Sequence, residues 1–190
     1  MIIGLMGAHR TGKTTLAKAV AETANARFIQ VKLSEAQRIL GYDSSNQNYT
    51  FKERRTIQEG LLDYMAQLLK ATALNYDVIY DRTPLDLIAY VLSLANANVL
   101  DDDDEKWLKK FIHDCHLLTR FYFNKVYLVQ PGIPLVTNNT TSAVSQEGYI
   151  NHLNCIMCGI LMNVDYNTRT YVIPSNITNL QERIDYVLNK

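Results

Sequence analysis

The chain has 190 residues, 47 % of them apolar and 20 % charged, with 19 basic and 19 acidic side chains. That usage is ordinary for a globular protein and excludes a chain that stays disordered. The cancelling charge gives no support for a protein that coats nucleic acid or anionic membrane. The length suits one domain over residues 1–190, able to bury its own core without disulfides or structural metal. Cys115, Cys155 and Cys158 are too few, and odd in number, for a secreted disulfide framework. Residues 1–7 are apolar but short and carry no charged leader, and no later apolar run reaches about 18 residues. The expectation is a soluble, cytoplasmic protein with no membrane partner.

Short apolar runs alternate with longer stretches of helical period, which predicts an α/β fold around a parallel sheet. Residues 2–6 read as the first strand. A glycine-bearing turn follows, then a helix over 13–23 with Leu16, Ala17 and Val20 on one face. A second strand is predicted at 27–31. Ser34 and Gln37 have capping-box spacing ahead of a short helix over 34–40, and 41–49 is polar and loop-like. Thr50 and Glu53 repeat that spacing before a long helix ending near residue 75, in which Ile57, Leu61, Met65 and Leu68 recur at helical period. A short buried strand over 78–80 leads into Asp81-Arg82. Thr83 and Pro84 then open a helix as cap and first helical residue. The helix over 103–122 begins in acidic residues, which suit the positive end of its dipole. A strand at 126–129 precedes a polar, irregular stretch over 131–148, long enough to serve as a lid. A helix over 149–162, a strand at 171–173 and a helix over 178–188 complete the chain.

The chemistry starts in the turn after the first strand. Gly7-Ala8-His9-Arg10-Thr11-Gly12-Lys13-Thr14 matches G-x-x-x-x-G-K-[ST] at every fixed position. The glycines permit backbone conformations that larger residues resist, so that successive N–H groups turn inward as an anion nest. The following helix adds its positive end. Lys13 is a cation for the β- and γ-phosphates of ATP, and Thr14 supplies a hydroxyl to Mg²⁺. Gly7, Ala8, His9, Arg10, Thr11, Gly12, Lys13, Thr14 and Thr15 are therefore the candidate cofactor-binding residues. Arg10 reads either as a phosphate contact or as a solvent-facing side chain.

The second acidic position narrows the class. The apolar strand at 78–80 ends in Asp81-Arg82, not in the Asp-Glu pair of motor-type ATPases. The sequence Asn124-Lys125 has Tyr127 where a GTPase motif would place Asp. Both features favour a kinase for a small substrate. Asp81 at a strand's carboxyl end can hold magnesium-bound water or accept a proton from an attacking hydroxyl. Arg82 can grip an incoming phosphate or stabilise the transferring one. Lys13, Asp81 and Arg82 are the candidate catalytic residues, and Thr14 and Asp81 the candidate metal ligands.

Together with Arg55-Thr56-Ile57-Gln58-Glu59 and Asp81-Arg82-Thr83-Pro84-Leu85-Asp86, the glycine loop resembles the small P-loop nucleoside and nucleotide kinases. These include thymidylate-kinase-like enzymes, ribosylnicotinamide-kinase-like domains and phage deoxynucleotide kinases. The resemblance implies a three-layer P-loop NTPase fold, with a five-stranded parallel sheet, helices on both faces and a lid. It also implies ATP with Mg²⁺ and an acceptor held opposite the loop. One departure stands out. Such kinases carry arginines in the lid, whereas residues 131–148 contain neither Arg nor Lys. Arg10, Arg120 and Arg169 are other sources of positive charge.

The acceptor is expected against residues 41–75. Arg54, Arg55, Glu59 and Arg82 are the candidate substrate-binding residues, and Tyr42, Tyr49 and Phe51 can stack on a base. A monophosphate calls for guanidinium partners, Arg82 with Arg54 or Arg55. A nucleoside calls for carboxylate or amide partners, Glu59 or Gln58. The leading expectation is transfer of the ATP γ-phosphate to a deoxynucleoside monophosphate. A nucleoside and a hydroxymethylated base in DNA are alternative acceptors, the latter disfavoured by the neutral charge. A partner-gated P-loop ATPase switch is the alternative of another class, and the oligomeric state is open between monomer and homodimer. His152, Cys155 and Cys158, with His113, Cys115 and His116 elsewhere, could form a zinc site. Leu153, Ile156, Met157, Ile160 and Leu161 instead make that helix read as core.

Overall fold

The computed structural model describes residues 1–43, 48–72, 77–95, 100–134, 146–164 and 168–190. In chain order the elements are β1 (Ile2–Met6), α1 (Lys13–Thr23), β2 (Arg27–Ile29), α2 (Leu33–Ile39), α3 (Phe51–Thr72) and β3 (Val78–Tyr80). They continue with α4 (Pro84–Ala95), α5 (Asp102–Tyr122), β4 (Lys125–Val129), α6 (Glu147–Leu161), β5 (Arg169–Ile173) and α7 (Leu180–Leu188). The strands form one sheet in the order β2-β3-β1-β4-β5, and every pairing is parallel. β1 therefore lies in the middle, between β3 and β4. The turn that follows it opens at the carboxyl edge, where the strand order diverges to either side and α/β sheets bind ligands.

Central parallel strands are covered on both faces, so they read as continuous apolar runs. All five residues of β1 are buried. Side chains alternate between the faces. Ile2 and Met6, with Val78, Tyr80, Val126 and Leu128, point into a core shared with α3, α4, α5 and α6. Ile3 and Leu5, with Ile79, Tyr127 and Val129, point into a second core closed by α1 and α7. These two cores make the three layers. Leu16, Ala17 and Val20 are the buried stripe of α1. On α3 the stripe is Ile57, Leu61, Met65 and Leu69, not Leu68, which is only partly buried.

Local signals are borne out at some helix starts and not at others. Thr50 and Glu53 form a reciprocal capping box, with Glu53 N–H donating to Thr50 Oγ1 at 3.2 Å and Thr50 N–H to Glu53 Oε2 at 2.8 Å. Asp101 caps α5 by accepting from the N–H groups of Asp103 and Asp104. The expected Ser34 cap is a correction: α2 begins one residue earlier, at Leu33, with Lys32 as N-cap and no side-chain cap hydrogen bond. β2 ends at Ile29, not at residue 31, because the Val31 N–H goes to the Asp81 carboxylate and not to a strand partner. The expected end of the long helix near residue 75 lies outside the described residues. So do 44–47 of the 41–49 loop and 135–145 of the expected lid.

Gly4 faces the α4 side of the sheet. A Cβ there would lie 2.3 Å from Thr83 Cγ2 and 2.8 Å from the Phe123 ring. The missing side chain lets the first turn of α4 sit directly on β1. Gly4→Ala is expected to cost about 1–3 kcal/mol through overpacking, seen as a melting temperature lower by roughly 3–10 °C. An unchanged melting curve would show that α4 is not seated there.

Among the described residues no helix is long and apolar enough to cross a membrane. In α6, Leu153, Met157, Ile160 and Leu161 are buried while Cys155 is exposed. No group of three or more His, Cys, Asp or Glu side chains is placed to hold a metal among the described residues.

Candidate active site

The loop between β1 and α1 takes the conformation its glycines allow. Gly12, the N-cap of α1, has φ 82°, in the left-handed region that costs glycine nothing. A Cβ on Gly7 would approach the Val129 carbonyl oxygen to 2.7 Å. Arg10 also adopts a positive φ, 60°, an uncommon conformation for a residue with a Cβ. Ala8 and Thr11 are buried, and Thr11 Oγ1 donates to the Ala8 carbonyl at 3.1 Å.

Lys13 lies folded along this loop. Its Nζ donates to the same Ala8 carbonyl at 2.5 Å, and only 6 % of the residue is exposed. Burial, and then the nearby Arg82 cation, lower its pKa to about 7, with Asp86 and Asp81 pulling the other way. Burial is also the main reason that His9 falls to about 4, followed by the cations Arg82, Lys13 and Arg10. Lys13, Arg82 and Arg10 thus bring positive charge to the loop at the start of α1, which suits an anion.

The carboxyl end of β3 meets this loop from the neighbouring strand. Asp81 is buried; its Oδ2 accepts from Thr14 Oγ1 at 2.9 Å and its Oδ1 from the Val31 N–H at 2.8 Å. The second bond ties the end of β3 to the chain leaving β2, which is why β2 stops short. The structure therefore brings together the two residues expected as metal ligands, although they are 67 positions apart. A hydroxyl and a carboxylate are the hard oxygen donors that Mg²⁺ takes, the rest of its shell being water and phosphate. Thr14 and Thr15 are exposed.

Three supporting residues were not found by sequence reasoning. Asp86, fully buried, accepts from the N–H of Gly7 at 3.2 Å, from the N–H of Thr83 at 2.8 Å and from Thr83 Oγ1 at 3.1 Å. Burial pushes its carboxyl above the usual range, opposed by Arg82 and Lys13. Thr83-x-x-Asp86 is a capping-box spacing, so the cap was legible, but the bond to Gly7 was not. Tyr90 on α4 accepts from Arg82 Nη1 at 3.0 Å and lies 3.2 Å from His9 Nε2. Arg183, buried on α7, donates through Nη1 to the Thr11 carbonyl at 2.9 Å and through Nε to the Ile177 carbonyl at 2.6 Å. Only the fold brings a C-terminal arginine beneath a loop 172 residues away.

The expected acceptor residues divide. Arg82 lies at the loop. Arg55, by contrast, donates to Asp104 at 2.7 Å and Asp103 at 3.1 Å, and its guanidinium stands 5.3 Å from the centroid of the Trp107 ring. Trp107 Nε1 in turn donates to Glu59 Oε1 at 2.6 Å. Arg55 and Glu59 therefore join α3 to α5. The acidic start of α5 not only suits its dipole but also supplies the partners of Arg55. Arg54 donates through Nε to the Tyr49 carbonyl at 3.1 Å.

A family model described as an AAA domain matches residues 2–142, well over half of the chain. The chain belongs to the AAA domain family. No curated protein matches this AAA-domain chain. Its fold is shared with several solved structures. A deoxyadenosine kinase from M. mycoides, with the products dCMP and a flexible dCDP bound, superposes with a TM-score of 0.73 at 18 % identity, covering 100 % of this chain and 97 % of that one. A NadR protein in complex with NAD and AMP-PNP gives 0.67 at 16 % identity over 99 % of this chain and 48 % of NadR. The YorR protein of Bacillus subtilis, in complex with phosphorylated GDP, gives 0.56 at 13 % identity over 100 % and 94 %. The AAA-domain chain thus has the α/β P-loop fold of the small nucleoside and nucleotide kinases.

Proposed function

We propose that the protein is a kinase that transfers the γ-phosphate of ATP, with Mg²⁺, to the hydroxyl of a deoxynucleoside. The observation that carries the reading is the meeting of Thr14 and Asp81 beside Lys13 and Arg82 at the mouth of the Gly7–Thr14 loop. Phosphoryl transfer asks mainly for positioning and for charge opposite the equatorial oxygens, and these residues supply both. The loop N–H groups cradle the β-phosphate. Lys13 leaves the Ala8 carbonyl for the β- and γ-oxygens. Thr14 and Asp81 would hold Mg²⁺, which when bound neutralises charge on the β- and γ-phosphates. The contact with Thr14 favours this role for Asp81 over that of proton acceptor. Arg82 faces the transferring group.

Two observations favour a nucleoside over the monophosphate that the sequence put first. Arg55, one of the two alternative partners of Arg82 for a monophosphate, is held by Asp103 and Asp104. Gln58 Oε1 is buried and has no hydrogen-bond partner among the described residues. A buried amide oxygen without a partner is costly and rare, and a sugar hydroxyl or a base amine would satisfy it. The M. mycoides kinase of like fold, with dCMP as a product, lends the same support. ADP release from Mg-ATP, with each deoxynucleoside and each monophosphate added singly, tests the reading. A rate that rises with one deoxynucleoside supports it. A rise with monophosphates alone restores the alternative. A flat response across the panel moves the function to a polymeric acceptor or a partner-gated ATPase.

A further inference from the structure

α4 meets the phosphate loop at two points one turn apart. Asp86 takes the N–H of Gly7, and Tyr90 reaches His9, 3.2 Å from its Nε2, with the rings 5.6 Å apart and tilted by 39°. Asp86 and Tyr90 stand at i and i+4, hence on one face of the helix. The same Tyr90 oxygen accepts from Arg82 Nη1 at 3.0 Å. One tyrosine hydroxyl therefore joins the arginine at the strand end to the histidine inside the loop, and neither His9 nor Tyr90 has a part in the mechanism above.

Arg82 fixes one end of this chain, and the protonation of His9 sets the other. A guanidinium only donates, so Tyr90 accepts from Arg82 and its own proton is left to give. His9 Nε2 is the acceptor in reach, which requires a neutral imidazole protonated at Nδ1. The surroundings keep it neutral: burial and the cations Arg82, Lys13 and Arg10 all act against a charged ring. An imidazolium would donate at both nitrogens, so Tyr90 would then accept twice and no longer give its proton to the ring.

We propose that Tyr90 is a positioning residue for phosphoryl transfer, holding Arg82 at the phosphate loop by accepting from its guanidinium while donating to neutral His9. The catalytic part of this inference rests on the kinase reading; the hydrogen-bond chain does not. Tyr90→Phe keeps the ring and its packing and removes only the hydroxyl. Its melting temperature is expected to match the parent. The KM for ATP should stay near the parent value, while kcat falls roughly 10- to 100-fold, the scale of a misplaced catalytic group. His9→Ala should lower kcat similarly, and the double variant no further than either single one, since a chain broken once is broken. An equal loss of kcat in additive steps, or an unchanged kcat in Tyr90→Phe, overturns the proposal.

Nitrogen-15 spectra of the His9 ring, and of the Arg82 guanidinium, read the chain without turnover. The expected result is a neutral ring protonated at Nδ1 between pH 6 and 8, with Arg82 N–H signals that exchange slowly and become fast in Tyr90→Phe. A ring protonated at Nε2, or Arg82 exchange indifferent to the substitution, overturns the proposal. If the parent protein transfers phosphate to no acceptor, the kinase reading fails by that result alone, and these spectra still decide whether Tyr90 holds Arg82.

Discussion

Lys13→Met is expected to lower phosphoryl transfer by roughly a thousandfold or more, because it removes a flexible cation that can follow charge onto the γ-phosphate. Methionine retains much of the aliphatic stem, so the buried volume beside Ala8 stays filled and the fold should survive. A second readout isolates the charge. With a pKa of about 7 in the empty site, Lys13 is mostly neutral at pH 8. Bound phosphates favour the ammonium and raise that pKa. ATP binding at pH 8 should therefore take up close to one proton, and at pH 6, where Lys13 is already charged, almost none. Titration calorimetry in two buffers of different ionisation enthalpy measures the uptake. Lys13→Met should abolish it at pH 8. Turnover within a few-fold of the parent, or an uptake that persists in the variant, would remove Lys13 from its assigned role.

Asp81→Asn is expected to cut kcat by about 10²- to 10³-fold while ATP still binds. The substitution is nearly isosteric. An amide oxygen can still accept from the Val31 N–H at the 2.8 Å position, and Thr14 Oγ1 can turn to accept where it now donates. The link between the ends of β2 and β3 should hold, so the melting temperature should change little. What is lost is the negative charge that the metal needs. The kcat of the variant should recover partly as Mg²⁺ is raised, since the weakened step is metal retention. Full activity at ordinary Mg²⁺ would show that Asp81 is not a metal ligand in turnover. Loss of activity together with loss of the fold would mark its bond to Val31 as the dominant role.

The local signals in the chain were strong where one element contains the whole pattern. The turn Gly7–Thr14 is one such case, since its whole motif of glycines, lysine and threonine fits within eight consecutive residues. The helix over 13–23 and the strand over 78–80 agree with the structure to the residue, because one buries a stripe at helical period and the other an unbroken apolar run. The capping box of Thr50 and Glu53 formed as read, whereas that of Ser34 did not. Both have the right spacing, but the start of α2 at Leu33, one residue earlier, places Ser34 inside the helix. The contacts of Arg55 and Glu59 were not legible for a related reason. A helix surface shows which residues point outward, not whether solvent, ligand or another helix waits there, and here α5 brings Asp103, Asp104 and Trp107.

By itself the sequence determined the alternation of strands and helices, the phosphate loop and the acidic strand end, since each depends on neighbours a few positions away. Only the tertiary structure decided which distant groups complete the site. The order β2-β3-β1-β4-β5 puts Asp81 beside Thr14, Gly4 admits α4 close enough for Asp86 and Tyr90 to reach the loop, and α7 carries Arg183 to Thr11. These contacts span 67 to 172 positions, and no local period or propensity encodes them. They exist because two cores pack on opposite faces of one sheet and so bring the helix ends to its carboxyl edge.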